Sequence, residues 1–194
     1  FIKDKENFPK AEVNAFLETD NGDIFAGYYS TDGGIVKMDS NFHFINRYHL
    51  PGKASELNGD NQVWGLFKGY DNLIWAPNQS NSILKLNPST NHLTKETDSM
   101  QTGPIITIVC DEAGNSWTGY WRDGLSKTDA ITRKKTYYKQ FLYSSSGNAK
   151  RVYSLLTDAV SIWVGTLQNG LQVFNKKTEK FSSVFLPSEK NNTS

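Results

Sequence analysis

The sequence lacks the residues that hold a small domain together covalently or through a metal. One cysteine, Cys110, occurs among 194 residues, so no disulfide can form within the chain. Three histidines and this single thiol have no zinc-ligand spacing, and we expect neither a metal nor a cofactor. A chain of this length can bury a sufficient hydrophobic core. The sequence therefore predicts a single domain, residues 1–194, that is held together by packing.

An excess of one charge and a long apolar run are also missing. Twenty-one Lys and Arg against twenty Asp and Glu leave a net charge of +1, so we expect no nucleic-acid partner. The longest nearly apolar stretch, Ile105 to Cys110, is only as long as a strand and can neither cross a bilayer nor form the core of a secretory signal. Because the chain begins with Phe1, we expect a mature or excised piece of a longer protein.

Aromatic and turn-forming residues are abundant. Eleven Phe, nine Tyr and five Trp accompany fifteen Gly. Short strands and tight turns use these residues, whereas a helical domain would be richer in Ala, Leu and Glu. The segments Asp20 to Asp23 and Ala113 to Asn115 supply glycine where a tight hairpin needs a positive φ. The composition predicts an all-β domain.

One pattern recurs four times along the chain. Three sets of landmarks keep the same register: an aromatic residue in the second strand of each unit, an aliphatic residue in the third, and an Asp or Asn that closes the third. The aromatic residues are 50, 42 and 46 positions apart, and the other two sets are 48, 42 and 46 positions apart. The landmarks are Phe25, Trp75, Trp117 and Trp163; Ile35, Ile83, Leu125 and Leu171; and Asp39, Asn87, Asp129 and Asn175.

The repeat predicts four antiparallel meanders of four strands each, at residues 13–50, 63–98, 105–143 and 152–185. A meander of this size cannot bury both of its faces alone, so successive units must stack. A period of about 40 to 50 residues is typical of propeller blades, and radial stacking leaves only short edges. We therefore predict a β-propeller in which the second-strand aromatic residue is a wedge between blades. An ordinary β-sandwich with chance spacing is the alternative.

The third and fourth units resemble a known repeat. The segments 162–166 (IWVGT), 169–171 (NGL) and 174–175 (FN) resemble the two-component regulator propeller repeat, found in extracytoplasmic sensor regions of bacterial hybrid two-component systems. The third unit resembles it through 117–119 (WTG) and 123–125 (DGL). The resemblance implies a periplasmic propeller that senses a ligand, often one derived from polysaccharides, and that is joined to further blades and kinase-linked domains. We expect part of a larger propeller, with a closed ring of four blades as the alternative.

The second unit departs from that repeat. Its segments 72–76 (NLIWA) and 81–88 (NSILKLNP) are similar to the repeats of streptogramin B lyase and its relatives, which are propeller enzymes. Pro77 stands where the other units have glycine, and we expect the second strand of this unit to end at Ala76. An enzyme of the lyase kind is therefore an alternative function. A third alternative is a pure protein-interaction propeller that binds a partner protein or forms a homodimer.

The sequence contains no convincing catalytic constellation. His43, His49 and His92 fall in or beside the fourth strands, on the outer rim, whereas catalytic groups of a propeller are expected near the axis. Phosphate-binding loops, nucleophile elbows and metalloprotease motifs are missing from the sequence. Cys110 ends a first strand, where we expect a small buried hydrophobe and not a reactive thiol. We predict no catalytic residue and a non-enzymatic role.

The candidate ligand site lies on the loops that surround one mouth of the axis. These loops join the second and third strands and connect successive units, and they vary while the framework repeats, as in a scaffold that carries a specific site. Aromatic faces, amides and guanidinium groups suit a saccharide or its carboxylate or sulfate. The alternative is that these side chains only cover blade packing. The predicted ligand-binding residues are Tyr28, Tyr29, Asn78, Gln79, Trp121, Arg122, Arg151 and Gln168.

These observations lead to one expected function. We expect a non-catalytic periplasmic sensor propeller of a hybrid two-component system that binds an oligosaccharide or a neighbouring domain of the same protein. We expect binding to shift an equilibrium between two conformations, and we expect a kinase to respond to that shift.

Overall fold

The computed structural model describes residues 7–97, 103–138, 151–167 and 170–184. In these ranges sixteen strands form four antiparallel sheets of four strands each. The helical content of the same ranges is a single turn, α1 (Ala54–Leu57), and no helix among the described residues is long and apolar enough to cross a membrane. The predicted all-β class and the four-stranded antiparallel units are confirmed.

Each sheet is a meander whose strands pair in the order of the sequence. The first sheet contains β1 (Glu12–Glu18), β2 (Ile24–Tyr29), β3 (Gly34–Met38) and β4 (Phe44–Tyr48). The second contains β5 (Phe67–Lys68), β6 (Ile74–Pro77), β7 (Ser82–Asn87) and β8 (His92–Thr97). The third contains β9 (Ile105–Cys110), β10 (Ser116–Tyr120), β11 (Leu125–Thr128) and β12 (Lys135–Tyr138). The fourth contains β13 (Val152–Thr157), β14 (Ser161–Thr166), β15 (Leu171–Asn175) and β16 (Lys180–Val184).

Glycine closes the hairpins between first and second strands where the sequence predicts it. Gly22 and Gly114 have φ values of 81° and 78°, a region that side chains with a Cβ rarely adopt. The Gly22 amide donates to the Thr19 carbonyl at 2.8 Å, and the Gly114 amide donates to the Asp111 carbonyl at 2.9 Å. These tight turns set the register between the first two strands of their sheets.

The second-strand aromatic residue packs between adjacent sheets. Phe25, Trp75 and Trp117 are at most 3% exposed. Phe25 shares a core cluster with residues of the second sheet, Trp75 with residues of the third and Trp117 with residues of the fourth. The predicted wedge is confirmed for these three positions. Trp163, the fourth member of the set, is only half-buried.

An aspartate in the preceding hairpin holds each indole in place. The Nε1–H groups of the three tryptophans donate to aspartate carboxylates, at 3.0 Å from Trp75 to Asp71 and at 2.9 Å from Trp117 to Asp111. The Asp158 carboxylate accepts from Trp163 at 2.7 Å. This hydrogen bond to a carboxylate fixes the orientation of each indole ring.

The second sheet differs from its predicted form at two points. The predicted unit begins at Val63, but its first strand is only Phe67–Lys68, and Val63 forms an isolated bridge with Asn78. The second strand includes Pro77 and does not end at Ala76 as we expected. Proline has no amide hydrogen to donate, but its carbonyl still accepts the Trp64 amide at 2.8 Å. Pro77 therefore weakens the ladder at this point without ending the strand.

Trp117 and Trp163 differ in burial, and this difference leads to a first testable prediction. Trp117→Ala removes a fully buried indole and leaves the buried Asp111 carboxylate without this donor, so we expect a loss of about 3–5 kcal/mol in the free energy of unfolding. Trp163→Ala removes an indole that packs on one side only, and we expect a clearly smaller loss. Urea unfolding of both variants measures the difference. Equal losses would contradict the wedge role assigned to Trp117.

The anchoring carboxylate makes stability depend on pH. Burial raises the pKa of Asp111, but hydrogen bonds from Trp117 and Asn115 and the charge of Lys176 outweigh burial and hold this pKa below its ordinary value of 3.8. A carboxyl whose folded-state pKa is depressed adds stability above its unfolded-state pKa, and this contribution is lost as the pH falls through the folded-state pKa.

We therefore expect the unfolding free energy to fall as the pH drops below about 4. Asp111→Asn cannot ionise and presents its own amide hydrogens to the Trp117 donor, so it should be less stable at pH 7 by about 1–3 kcal/mol. It should also show a weaker acid dependence than the native chain. Urea unfolding from pH 3 to pH 7 tests both effects, and an unchanged acid dependence in the variant would contradict the assignment.

Candidate ligand-binding site

The first strands of all four sheets face one central cavity. Its volume is about 590 Å³, and its lining comes from β1, the segment that leads into β5, β9 and β13. The four sheets are therefore arranged around a common axis, with their first strands innermost and their fourth strands on the rim.

A β-bulge in β1, β9 and β13, and an equivalent irregularity in the segment before β5, each turn one additional residue toward this axis. In β1 the pairing passes from Val13 with Tyr28 to Ala15 with Gly27, which leaves one residue unpaired between them. The same shift occurs in β9 and β13. In the second sheet, Val63 and Phe67 are four residues apart, whereas their pairing partners, Asn78 and Trp75, are only three residues apart. The extra residues are Asn14, Trp64, Ile106 and Tyr153, and all four line the cavity.

One aromatic cluster joins the first and second sheets. The ring centroids of Tyr29 and Trp64 are 4.6 Å apart. The Tyr29 hydroxyl donates to Oε1 of Gln79 at 3.3 Å. Nε1 of Trp64 is buried and has no hydrogen-bond partner among the residues that the structure describes. Two predicted site residues, Tyr29 and Gln79, thus meet around a bulge residue that the sequence analysis did not select.

A second aromatic cluster joins the third and fourth sheets. Trp121 follows β10, and its ring centroid is 5.5 Å from that of Tyr153 in β13. The Arg151 guanidinium lies 4.7 Å from the Trp121 ring centroid, within the range of a cation–π contact. Two predicted residues, Trp121 and Arg151, therefore meet a second bulge residue. Both clusters span an interface between two sheets.

Solved structures share this architecture. No family model and no curated protein sequence matches the chain. The extracellular domain of BT4673, a proposed hybrid two-component system from B. thetaiotaomicron, matches with a TM-score of 0.69 at 19% identity, over 94% of this chain and 25% of that chain. A streptogramin B lyase matches with a TM-score of 0.71 at 19% identity, over 93% of this chain and 57% of the lyase chain.

A third match decides the fold. The β-propeller domain of Cps50 from Myceliophteria thermophila gives a TM-score of 0.65 at 10% identity, over 92% of this chain and 57% of that domain. The chain has the β-propeller fold. We call its four sheets blades 1 to 4 from here on. At these identities the likeness concerns the fold, and the chain spans a quarter of the BT4673 domain and somewhat more than half of the other two.

The match to an extracellular domain of a hybrid two-component system agrees with the resemblance found in the third and fourth units. The match to a streptogramin B lyase agrees with the resemblance found in the second unit. Both proteins therefore share the propeller architecture that the repeat predicts.

Two predicted site residues have structural positions away from the mouth. Tyr28 is buried with Val36 and Met38 on the reverse face of blade 1, which is the face that points away from blade 2. It lies there because side chains alternate between the two faces along β2, and Tyr29 is on the other face. Asn78 is fully buried. Its Nδ2 donates to the Asp60 carbonyl at 2.7 Å, and its Oδ1 accepts the amides of two serines in the turn that follows, both at 3.1 Å. Neither side chain is presented to a ligand at the surface.

The two remaining predicted residues are not part of either cluster. Arg122 is exposed beside Trp121, and its Cβ lies against Gly103. Gln168 lies outside the described residues. The predicted site is therefore represented by Tyr29, Gln79, Trp121 and Arg151, with Arg122 at its edge.

The residues predicted from the sequence do not include the four that the bulges turn toward the axis, namely Asn14, Trp64, Ile106 and Tyr153. A signal was present for one of them. Of the five tryptophans, three occupy the repeated second-strand position, and only Trp64 and Trp121 stand outside that register. Both of these lie beside the axis. An aromatic residue outside the repeat register therefore indicated each of the two clusters.

The three histidines lie on the rim, as the sequence predicts. His43 precedes β4 and contacts Asp39, with its Nδ1 3.0 Å from the carboxylate. His92 begins β8 and His49 follows β4, and both are exposed. Within the described ranges, no group of three His, Cys, Asp or Glu side chains is placed to hold a metal ion.

Cys110 supplies a test of the local environment at the end of β9. Burial raises the pKa of its thiol to about 11, with smaller contributions from the charges of Asp71 and Asp111. At pH 8 only about one thiol in a thousand is then ionised, so we expect slow reaction with a disulfide reagent such as Ellman's reagent. The chain unfolded in guanidinium chloride should react far faster. Equal rates in the folded and unfolded chains would contradict the raised pKa of this half-buried thiol.

Proposed function

We propose that this chain is a non-catalytic, extracytoplasmic sensor propeller that binds a glycan-derived ligand at the axial mouth. The observation that supports this most directly is that two aromatic clusters each contribute one residue to the lining of the same cavity, and each combines a bulge residue with predicted mouth residues. The fold it shares with the extracellular domain of a proposed hybrid two-component system supports the sensor role.

The chemistry of the mouth favours a saccharide. Trp64, Trp121 and Tyr153 offer aromatic planes against which the C–H face of a sugar ring can stack. Gln79 and Asn14 add amides that can pair with hydroxyl groups. Arg151 carries a guanidinium that can grip a carboxylate or sulfate with two hydrogen bonds. These groups favour an acidic oligosaccharide over a neutral one.

The position of the clusters supplies a route for the signal. Each cluster spans two blades, so a ligand held there contacts both sides of an interface. A ligand can shift a two-state equilibrium only by its difference in affinity for the two states. We propose that the bound ligand favours one arrangement of neighbouring blades and that domains joined to this propeller respond to that arrangement.

Isothermal titration calorimetry with neutral, uronic-acid and sulfated oligosaccharides tests the proposal. We expect binding of an acidic member, and a Kd about tenfold or more higher in Trp121→Ala and in Tyr153→Ala, equivalent to about 1.4 kcal/mol or more. Arg151→Gln should raise the Kd of acidic ligands and leave the Kd of neutral ligands unchanged.

Phe42→Ala is the matched control, because Phe42 is an exposed aromatic residue in a turn on the rim. It should bind like the native chain. If the three mouth variants bind as the native chain does, the axial mouth is not the ligand site.

The second candidate function is a lyase-like enzyme, favoured by the match to a streptogramin B lyase. Metal-dependent turnover that is lost on His→Ala substitution would support it. The rim positions of His43, His49 and His92 favour the sensor, since a substitution at the rim should leave any chemistry at the axis unchanged.

A further inference from the structure

A cleft of about 380 Å³ lies between blades 2 and 3. Its volume is in the range of small-molecule pockets, about 300–1,000 Å³. Tyr70, Trp75 and Lys85 line it from blade 2, and Ser116, Thr118 and Arg133 are among the residues that line it from blade 3. The cleft shares no lining residue with the axial cavity. It is therefore a separate place where a molecule could bind.

The cleft exists because blade 3 departs from the other blades in one row of paired residues. This row joins the second, third and fourth strands, and in blades 2 and 4 it packs against the aromatic wedge of the preceding blade. In blade 3 the row is Ser116, Thr128 and Lys135. The corresponding rows are apolar throughout, namely Ile24, Met38 and Phe44; Ile74, Leu86 and Leu93; and Ile162, Phe174 and Phe181. Small polar side chains thus stand where the other blades have large apolar ones.

Two hydroxyl groups in the cleft are buried without a partner. Ser116 and Thr118 are only 4% and 3% exposed, and neither side chain hydrogen-bonds to another residue that the structure describes. Ala76 and Val164 occupy the position of Thr118 in blades 2 and 4, so packing between blades does not require a hydroxyl there. Buried polar groups are normally satisfied. A polar molecule in the cleft would satisfy both.

An arginine stands at the mouth of the cleft. Arg133 occupies the turn between β11 and β12 with a φ of 59°, as do Asn91 (59°) and Glu179 (53°) in the equivalent turns of blades 2 and 4. Asn91 and Glu179 each hydrogen-bond to a tyrosine hydroxyl of the preceding blade. Arg133 lies instead over the ring of Tyr70, 4.8 Å from its centroid, and forms no ion pair with a described residue. Its guanidinium can therefore bind a carboxylate.

The charges of the lining favour a ligand with one negative charge. Three cationic and two acidic side chains line the cleft, which leaves +1 (three minus two), namely Lys85, Arg133, Lys135, Asp71 and Glu96. The two acids are already engaged. Glu96 pairs with Lys85 at 2.5 Å, and the Asp71 carboxylate accepts from Trp75 at 3.0 Å. A monocarboxylate matches this balance better than a phosphate monoester, which carries about −1.5 to −2 at pH 7.

We propose that the cleft between blades 2 and 3 binds a small hydroxylated monocarboxylate. The guanidinium of Arg133 binds the carboxylate at the mouth, and the hydroxyl groups of the ligand hydrogen-bond to Ser116 and Thr118 in the floor. The bound molecule contacts side chains of both blades. This site is independent of the proposed glycan ligand at the axial mouth.

Three matched probes test the class of ligand by isothermal titration calorimetry. Gluconate has both the carboxylate and a chain of hydroxyl groups, sorbitol has the hydroxylated six-carbon chain without the charge, and hexanoate has the charge and the chain without the hydroxyls. We expect gluconate to bind with a Kd about tenfold or more below that of either other probe.

Two substitutions test the residues. Arg133→Gln should raise the Kd of gluconate about tenfold or more, whereas Lys134→Gln, which removes the same charge from an exposed neighbour outside the lining, should not change it. Thr118→Val should raise the Kd severalfold. It should not lower the urea midpoint of the ligand-free chain, because it replaces an unpartnered buried hydroxyl with a methyl group of similar size. A hydroxyl with a purely structural role would lower that midpoint.

Three results would overturn the proposal. The first is that gluconate does not bind at millimolar concentrations, or binds no better than sorbitol and hexanoate. The second is that Arg133→Gln and Lys134→Gln raise the Kd equally, which would indicate a general effect of charge. The third is that gluconate binding is lost in Trp121→Ala and retained in Arg133→Gln, since gluconate would then bind at the axial mouth.

Discussion

A four-stranded meander has two faces and cannot bury either of them alone, and the packing between blades follows from this constraint. The chain meets it in blades 1 to 3 with one large aromatic side chain per blade, which packs against the next blade. Trp117 shows the arrangement most completely, because it packs with Val152, Ile162 and Val164 of blade 4 while its indole nitrogen is held by Asp111. The spacing of the repeat, the short strands and the tight hairpins all serve to present this side chain at the same height in each blade.

The same constraint separates framework from site. In blades 2 to 4 the apolar residue that precedes each bulge is fully buried between two blades, namely Val63, Ile105 and Val152. Each bulge adds one residue that lines the cavity, and these four residues differ in chemistry: Asn14, Trp64, Ile106 and Tyr153. A propeller built in this way can change the chemistry of its axis without changing how its blades pack.

The sequence was sufficient to predict the fold because the landmarks recur in register. Three sets of residues with a common spacing identify the strands, the turns and the wedge position together, and the wedge is found at three of its four predicted positions. The second blade was the exception, since the effect of Pro77 depends on which of its backbone groups faces a neighbouring strand. That choice is made by the ladder and is not visible in the local sequence.

The site was less predictable for a related reason. Tyr28 and Tyr29 are adjacent and chemically alike, yet one is buried on the reverse face and the other stacks on Trp64. Strand alternation separates them, and the phase of that alternation had to be taken from Phe25. The residues at the bulges could not be placed, because a bulge shifts the phase by one and leaves no fixed signature in composition. Asn78 shows a further limit of composition, since its amide is consumed by the turn that it shapes.

The two aromatic clusters each combine residues of two neighbouring blades. In an array whose units contact only their neighbours, stability is a sum over adjacent pairs. Trp121 belongs to one member of such a pair, and Tyr153 and Arg151 belong to the other. Under the proposed function, a ligand that contacts both would stabilise the contact between these two blades, and the sensor would respond to the strength of that contact.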